Sequence, residues 1–276
     1  MNFLLSAEQQ QMQRELERAL AEVTGSRALH AIIDGDDGMS AQAWRRLAEF
    51  GALGVCIPAE YGGLGLELID LALAAEVVGR CAAPAPLLGH ALCALAIGWG
   101  GDAAQKDRWL PALATGELVG AAAFAEADEV WQPEDWRLPA GERLRGEKRN
   151  VANAGEAGLI LVGAQGGRLG LVAADDPGLA LQRMDGIDRT RPLDIVRFED
   201  AQVSWLDPDP ALARKVRDAG LALLAADAFG GAERCVAMAV DYAKTREQFG
   251  VAIGHFQALR HQLANMALAT EPCRGL

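Results

Sequence analysis

Apolar residues recur at helical spacing along the first part of the chain, and in short runs along its middle. Met12, Leu16, Leu20 and Val23 share one helical face behind Ser6, with Glu8 and Gln9 in the first turn. That pattern predicts a helix capped by Ser6 and stopped at Gly25, and Trp44, Leu47 and Phe50 mark a second. Residues 58–65 read Pro-Ala-Glu-Tyr-Gly-Gly-Leu-Gly, which breaks the period and predicts a loop. The period resumes over 68–79, continues after Pro84 and Pro86 as an apolar stretch over 87–99, and returns over 103–115 before the stop at Gly116.

Beyond Val119 the grammar changes. Leu159-Ile160-Leu161-Val162, residues 169–173 and Ile195-Val196-Arg197-Phe198 are β-type runs separated by Gly, Pro and Asp turns. From Pro210 through Tyr242, and again over 255–269, the helical period returns. The expected class is α+β with segregated regions: a helical domain over 1–118, a central β-domain over 119–207 and a second helical domain over 208–276. This order disfavours a doubly wound βαβ sheet, and no internal repeat stands out.

Composition narrows the chemistry. With 276 residues, 51% of them hydrophobic, the chain can bury a large core, and its charged residues, 23%, are spread through it. A formal net charge of −12 argues against tracking a nucleic-acid backbone. It does not exclude anionic ligands such as CoA or FAD, because a local pocket of Arg and backbone N–H groups binds phosphate whatever the net charge. Cys56, Cys81, Cys93, Cys235 and Cys273 are odd in number and never CxxC-spaced, which points to a reducing compartment with neither a disulfide framework nor a zinc site. His30, His90, His255 and His261 form no metal-ligand pattern. The start, Met1-Asn2-Phe3-Leu4-Leu5, has no basic region of a secretion signal, and the 87–99 stretch is shorter than the ~20 residues that span a bilayer. A cytoplasmic location without membrane association is expected. The glycines of 62–65 follow no β-run and lack the terminal Lys-Ser or Lys-Thr of a phosphate loop.

The helix, strand, helix order, with the 58–65 loop and Arg246-Glu247-Gln248-Phe249-Gly250, resembles the acyl-CoA dehydrogenase family across nearly the whole chain. Further matches, in family order, are 47–55 leading into the loop, 76–79, 188–191 and Phe256-Gln257. The resemblance implies two helical domains flanking a β-barrel-like domain, and FAD lying between these domains and a neighbouring subunit. It also implies removal of a proton alpha to an acyl-CoA thioester by a carboxylate base while hydride leaves the beta carbon for the flavin, with an electron-transfer flavoprotein or similar acceptor. Geometry decides both transfers before pKa does.

By this resemblance Arg246 pairs with the pyrophosphate of a neighbour's FAD, and Gln248, Phe249 and Gln257 contact the rest of the dinucleotide. The bland alternative is that Arg246 ends a helix, where a cation favours the carboxyl end of the dipole. The ring side departs from the family. Ala125-Glu126-Ala127 stands for a Thr-Glu-Pro turn and lacks its Gly-Ser-Asp continuation, while Lys148-Arg149-Asn150-Val151-Ala152 stands for Lys-x-Trp-Ile-Thr. Both hydroxyls and the covering Trp are gone. One usual position of the base lies beyond Leu276 and the other aligns with Gly220. Asp218 and Asp227 are poor substitutes on a helix, and Glu60 and Glu126 read as loop-organising acceptors. No catalytic residue is assigned.

The last helix would present Leu259, Leu263, Met266 and Leu268, a stripe that a partner or missing sequence must cover. Three expectations compete. One is a heteromer whose sister chain supplies the base and the ring contacts, as in unequal subunit pairs that act on steroid side-chain CoA thioesters. Another is a homo-oligomeric dehydrogenase with an incomplete C-terminal bundle. The third is a non-enzymatic assembly subunit.

Overall fold

Ser6 accepts from the Gln9 N–H while the Gln9 amide oxygen reaches back to the Ser6 N–H, so two unpaired donors are satisfied where α1 (Ala7–Ala21) begins. The computed structural model describes residues 4–35, 38–127 and 132–275. The first three residues and the continuation after Ala127 lie outside these. Helices α2 (Ser26–Asp34) and α3 (Ala41–Phe50) follow, the latter capped by Ser40 and ended by Gly51 at φ 80°. Helix α2 departs from expectation: none of its residues is buried, so no core stripe announces it. Helices α4 (Leu68–Arg80), α5 (Leu87–Gly100) and α6 (Ala103–Thr115) complete the first part. Asp102 caps α6 and Gly116, at φ 74°, ends it.

The strands are β1 (Gly120–Ala123), β2 (Arg143–Ala152), β3 (Leu159–Ala164), β4 (Arg168–Ala173), β5 (Leu179–Arg183), β6 (Leu193–Gln202) and β7 (Ser204–Trp205). One sheet runs β1-β3-β4-β7 and the other β2-β6-β5; β1 pairs with β3 in parallel and the remaining ladders in these sheets are antiparallel. All of β3 is buried. Its side chains alternate, so Leu159 and Leu161 pack with α5, α6 and α7 (Pro210–Thr245), while Ile160 and Val162 join Val196 and Phe198 of the second sheet. Strands β1, β2, β5 and β7 add to the three runs expected. Strand β2 shows why pattern alone missed it: irregularities at Leu144/Arg145 and between Lys148 and Val151 reset its alternation.

Helix α7 then crosses α4 so closely that a Cβ on Gly79 would fall 1.9 Å from the Asp227 carbonyl oxygen, and one on Gly230 1.9 Å from that of Glu76. Only glycines allow such backbone contact. Beyond α7 come a short hairpin, β8 (Glu247–Gln248) with β9 (Val251–Ala252), and α8 (Gln257–Thr270). Helix α8 has no buried residue; Met266 and Leu268 are exposed, whereas Leu259 and Leu263 are half-buried. Among the described residues no helix is long and apolar enough to cross a membrane.

Candidate functional site

The end of β2, the start of α5 and one face of α7 converge with α4 on an apolar cavity of about 80 Å³. Leu71, Ala75 and Val78 of α4 form one side, Leu87 and Gly89 another, and Leu223 with Leu224 a third. Ala152 and Asn153 close it from the strand side. Its charged lining is Arg191, from the segment before β6, and Asp227, one turn beyond Leu224 on the same face of α7. Their hydrogen bonds are bidentate: Arg191 Nη1 to Asp227 Oδ2 at 2.8 Å and Nη2 to Oδ1 at 2.7 Å. This pairing holds the Arg191 guanidinium above its ordinary pKa.

Among the described residues no carboxylate lining this cavity is free to act as a base. Gly220 lies one turn before Leu223 and Leu224 and faces Leu92, whose methyl carbons would stand 3.3 Å from an added Cβ. Asp227 spends both oxygens on Arg191. Asp218 is mostly exposed and paired with Arg217 at 2.8 Å. Glu60 is exposed on the 58–65 loop.

Glu126 organises its loop. Its carboxylate accepts from the Arg137 and Leu138 N–H groups and from Lys148 Nζ at 2.6 Å. Burial opposes the charge on Glu126, but Lys148 and the backbone donors outweigh it and hold the carboxyl below the usual range. Lys148 is fully buried, also donates to the Phe124 carbonyl at 3.0 Å and lies over the Trp136 ring. Burial pulls its pKa down, and Glu126 offsets part of that. The pair ties the 124–127 turn, where Ala125 accepts from the Arg149 N–H, to β2. Pattern reading identified Glu126 as an acceptor and missed Lys148. The available signal was a lysine at an inward strand position between Leu144 and Val151, since a buried ammonium requires an anionic partner.

The second cluster is wholly different. Arg246 closes α7, its backbone N–H on the Tyr242 carbonyl, so the helix-end role expected of it is real. Its guanidinium has no ion pair or hydrogen bond among the described residues and stands exposed. Gln248 sits on the exposed hairpin, Phe249 at its turn has φ 55° and is 93% exposed, and Gln257 opens α8 beside His261. Phe249 meets Phe256 edge-to-face at 6.1 Å between centroids. Arg246, Gln248, Phe249 and Gln257 therefore share one outward-facing corner, apart from the cavity lining.

As a donor set this corner fits the dinucleotide part of FAD: an unpaired guanidinium for phosphate oxygens, two amides and an exposed aromatic face. The ring side does not fit equally. Ala125, Asn150, Val151 and Ala152 offer no hydroxyl, Asn150 turns at φ 53°, and Lys148 is consumed internally. Among the described residues no group of His, Cys, Asp and Glu could hold a metal ion.

Comparison with known proteins bears on the family. Residues 6–117 match the model of the acyl-CoA dehydrogenase N-terminal domain, and residues 218–276 that of the C-terminal domain. The acyl-CoA dehydrogenase IpdE2 of Mycobacterium tuberculosis is 35% identical over 272 residues, 98% of this chain and 74% of that protein. Among solved structures, the Tcur3481-Tcur3483 steroid ACAD superposes with a TM-score of 0.86 at 32% identity, over 96% of this chain and 74% of that one. An acyl-CoA dehydrogenase of Bacillus anthracis complexed with FAD gives 0.82 at 26% identity, over 98% of this chain and 51% of that one. The chain belongs to the acyl-CoA dehydrogenase family of FAD-dependent oxidoreductases.

Proposed function

We propose that this chain is the non-catalytic member of a heteromeric acyl-CoA dehydrogenase, acting on a thioester with a steroid-derived acyl group. The observation that carries this reading is on α7, where position 220 is a glycine facing Leu92 and the cavity-lining Asp227 is locked by Arg191. A base must be free to take a proton, and a carboxylate engaged on both oxygens is not. A sister chain supplies that base and the contacts to the flavin ring. FAD, when bound, supplies the hydride acceptor. This chain's part is to hold the dinucleotide with Arg246, Gln248, Phe249 and Gln257, and to cover its own exposed α7 and α8 residues against the sister. Burying Leu221, Leu224, Met238 and Leu268, all exposed in the single chain, favours that association. The likeness to a steroid ACAD supports the substrate class. We assign the regions 1–118, 119–207 and 208–276 as domains, the complex to the cytoplasm, and reoxidation to an electron-transfer flavoprotein or similar acceptor.

The test is mass spectrometry with a visible spectrum on the complex purified through a tag on this chain, without added flavin. FAD together with a second, glutamate-bearing chain is expected. FAD with this chain alone, or a colourless assembly, overturns the reading.

A further inference from the structure

Helix α8 has to be held from outside itself. It is 14 residues long, none of them is buried, and no side-chain hydrogen bond caps its first turn. An isolated helix of that length is marginal in water. Leu259, Leu263 and Thr270 are its half-buried residues. At its near end Arg260 Nε donates to the Gly254 carbonyl at 2.8 Å, which ties α8 to the turn after the hairpin. At its far end the chain turns through Glu271–Gly275, and Arg274 reaches α7. The Arg274 guanidinium lies over the Phe229 ring, 5.1 Å from its centroid, and donates to Glu233 and, through Nε, to Glu271 at 3.3 Å.

Glu233 is more than a surface acceptor. It also takes a hydrogen bond from Arg80 of α4, which donates in turn to Glu76 and Glu17. Carboxylates and guanidinium groups therefore alternate from Glu76 through Arg80 and Glu233 to Arg274, and their side chains run from 9% exposed at Glu76 to 42% at Arg274. The inner end is fixed, because Gly230, three residues before Glu233 on α7, meets the Glu76 carbonyl oxygen with no room for a Cβ. The outer end faces solvent, where salt reaches it.

We propose that Arg274 is a positioning residue: it latches the far end of α8 to the crossing of α4 and α7, and by ordering α8 it presents Gln257 at the opposite end of that helix. Without the latch, α8 keeps only its half-buried residues and the Arg260 tie, and its backbone opens. The latch is read from ion pairs and packing alone. The presentation of Gln257 rests on the reading of that residue as a dinucleotide contact, so the two parts are tested separately.

Amide hydrogen exchange on the purified chain tests the latch. In Arg274→Ala the α8 amides are expected to exchange at least about tenfold faster than in the wild type, with α3 and α6 unchanged, and in Arg274→Lys at a rate between the two. Raising the salt from about 0.01 M to about 1 M should speed α8 exchange in the wild type and change it less in Arg274→Ala. Equal α8 exchange in the wild type and Arg274→Ala, or equal salt sensitivity in both, overturns the latch. If the Ala variant does not fold, the wild-type salt series decides alone, and α8 exchange indifferent to salt overturns the latch. The FAD content of the complex purified through a tag on this chain reads the second part. Arg274→Ala is expected to lower it at least about threefold and Arg274→Lys to restore some of it. FAD retained in full while α8 exchanges faster overturns the presentation role. A wild-type complex without FAD overturns the dinucleotide reading and the presentation role with it, while the exchange result still decides the latch.

Discussion

Lys148 and Arg246 are both cations in segments that the family resemblance marks for the cofactor, yet the fold treats them in opposite ways. Lys148 has no exposed surface and gives hydrogen bonds to Glu126 and Phe124. Arg246 ends a helix with its guanidinium unengaged at the surface. A side chain consumed by its own fold contributes stability and has nothing left for a ligand. One left free contributes little to stability and remains available. The difference separates what this chain needs in order to fold from what it offers to another molecule.

The largest effect expected from breaking this comparison falls on Lys148→Ala. It leaves the Glu126 carboxylate without its cation in a buried turn, a loss of about 3–5 kcal/mol where one partner of a buried pair is removed. Chemical denaturation of the purified chain measures it, and a loss below 1 kcal/mol would place the pair with weak surface bridges. Next in size is an acid dependence centred on His90, which is fully buried in α5 and stands edge-on to Trp44. Burial pushes its pKa down from 6.5 to about 4, and neither ring nitrogen has a hydrogen-bond partner among the described residues. The folded protein therefore binds the proton less readily than the unfolded chain. This contribution is whole above pH 6.5 and is lost as the pH falls toward 4, by ~3 kcal/mol in all. Unfolding free energies across that window should slope accordingly, and His90→Gln should flatten the slope whatever it does to the absolute stability.

Arg246→Ala is the converse case. FAD retention by the purified complex should fall about tenfold to a hundredfold, the range of a lost hydrogen bond to a charged group, while the melting temperature of the separate chain stays unchanged. A shifted melting temperature with unchanged flavin would assign Arg246 to the fold instead. The smallest effect is reserved for Phe249→Ala. At 93% exposure the ring should add less than about 0.5 kcal/mol to the stability of this chain, so any change in assembly or flavin content reports on contacts outside it.

What could be read beforehand follows the same division between local and distant causes. Helix α6 has the limits its sequence predicts because Asp102 and Gly116 are local signals acting on neighbouring backbone. Strand β2 escaped because its irregularities shift the inward positions and place a lysine among them. Arg246, Gln248, Phe249 and Gln257 were singled out by the family resemblance alone, and the structure shows all four exposed at the end of α7, the hairpin and the start of α8. The Arg191–Asp227 pair was not legible, although both residues stood in view. The two are 36 positions apart, and no spacing rule joins a turn to a helix face across that distance. A carboxylate one turn from Leu223 and Leu224 did call for a counter-ion, without saying which.

The backbone contact of Gly79 with Asp227 and of Gly230 with Glu76 has a mechanical consequence. Two helices touching at their main chains turn about each other only by separating, so α4 and α7 behave as one beam. The hairpin and α8 are carried on its far end, and the cavity lies beside its fulcrum. A load applied at the hairpin would therefore pass along α7 to its main-chain contact with α4.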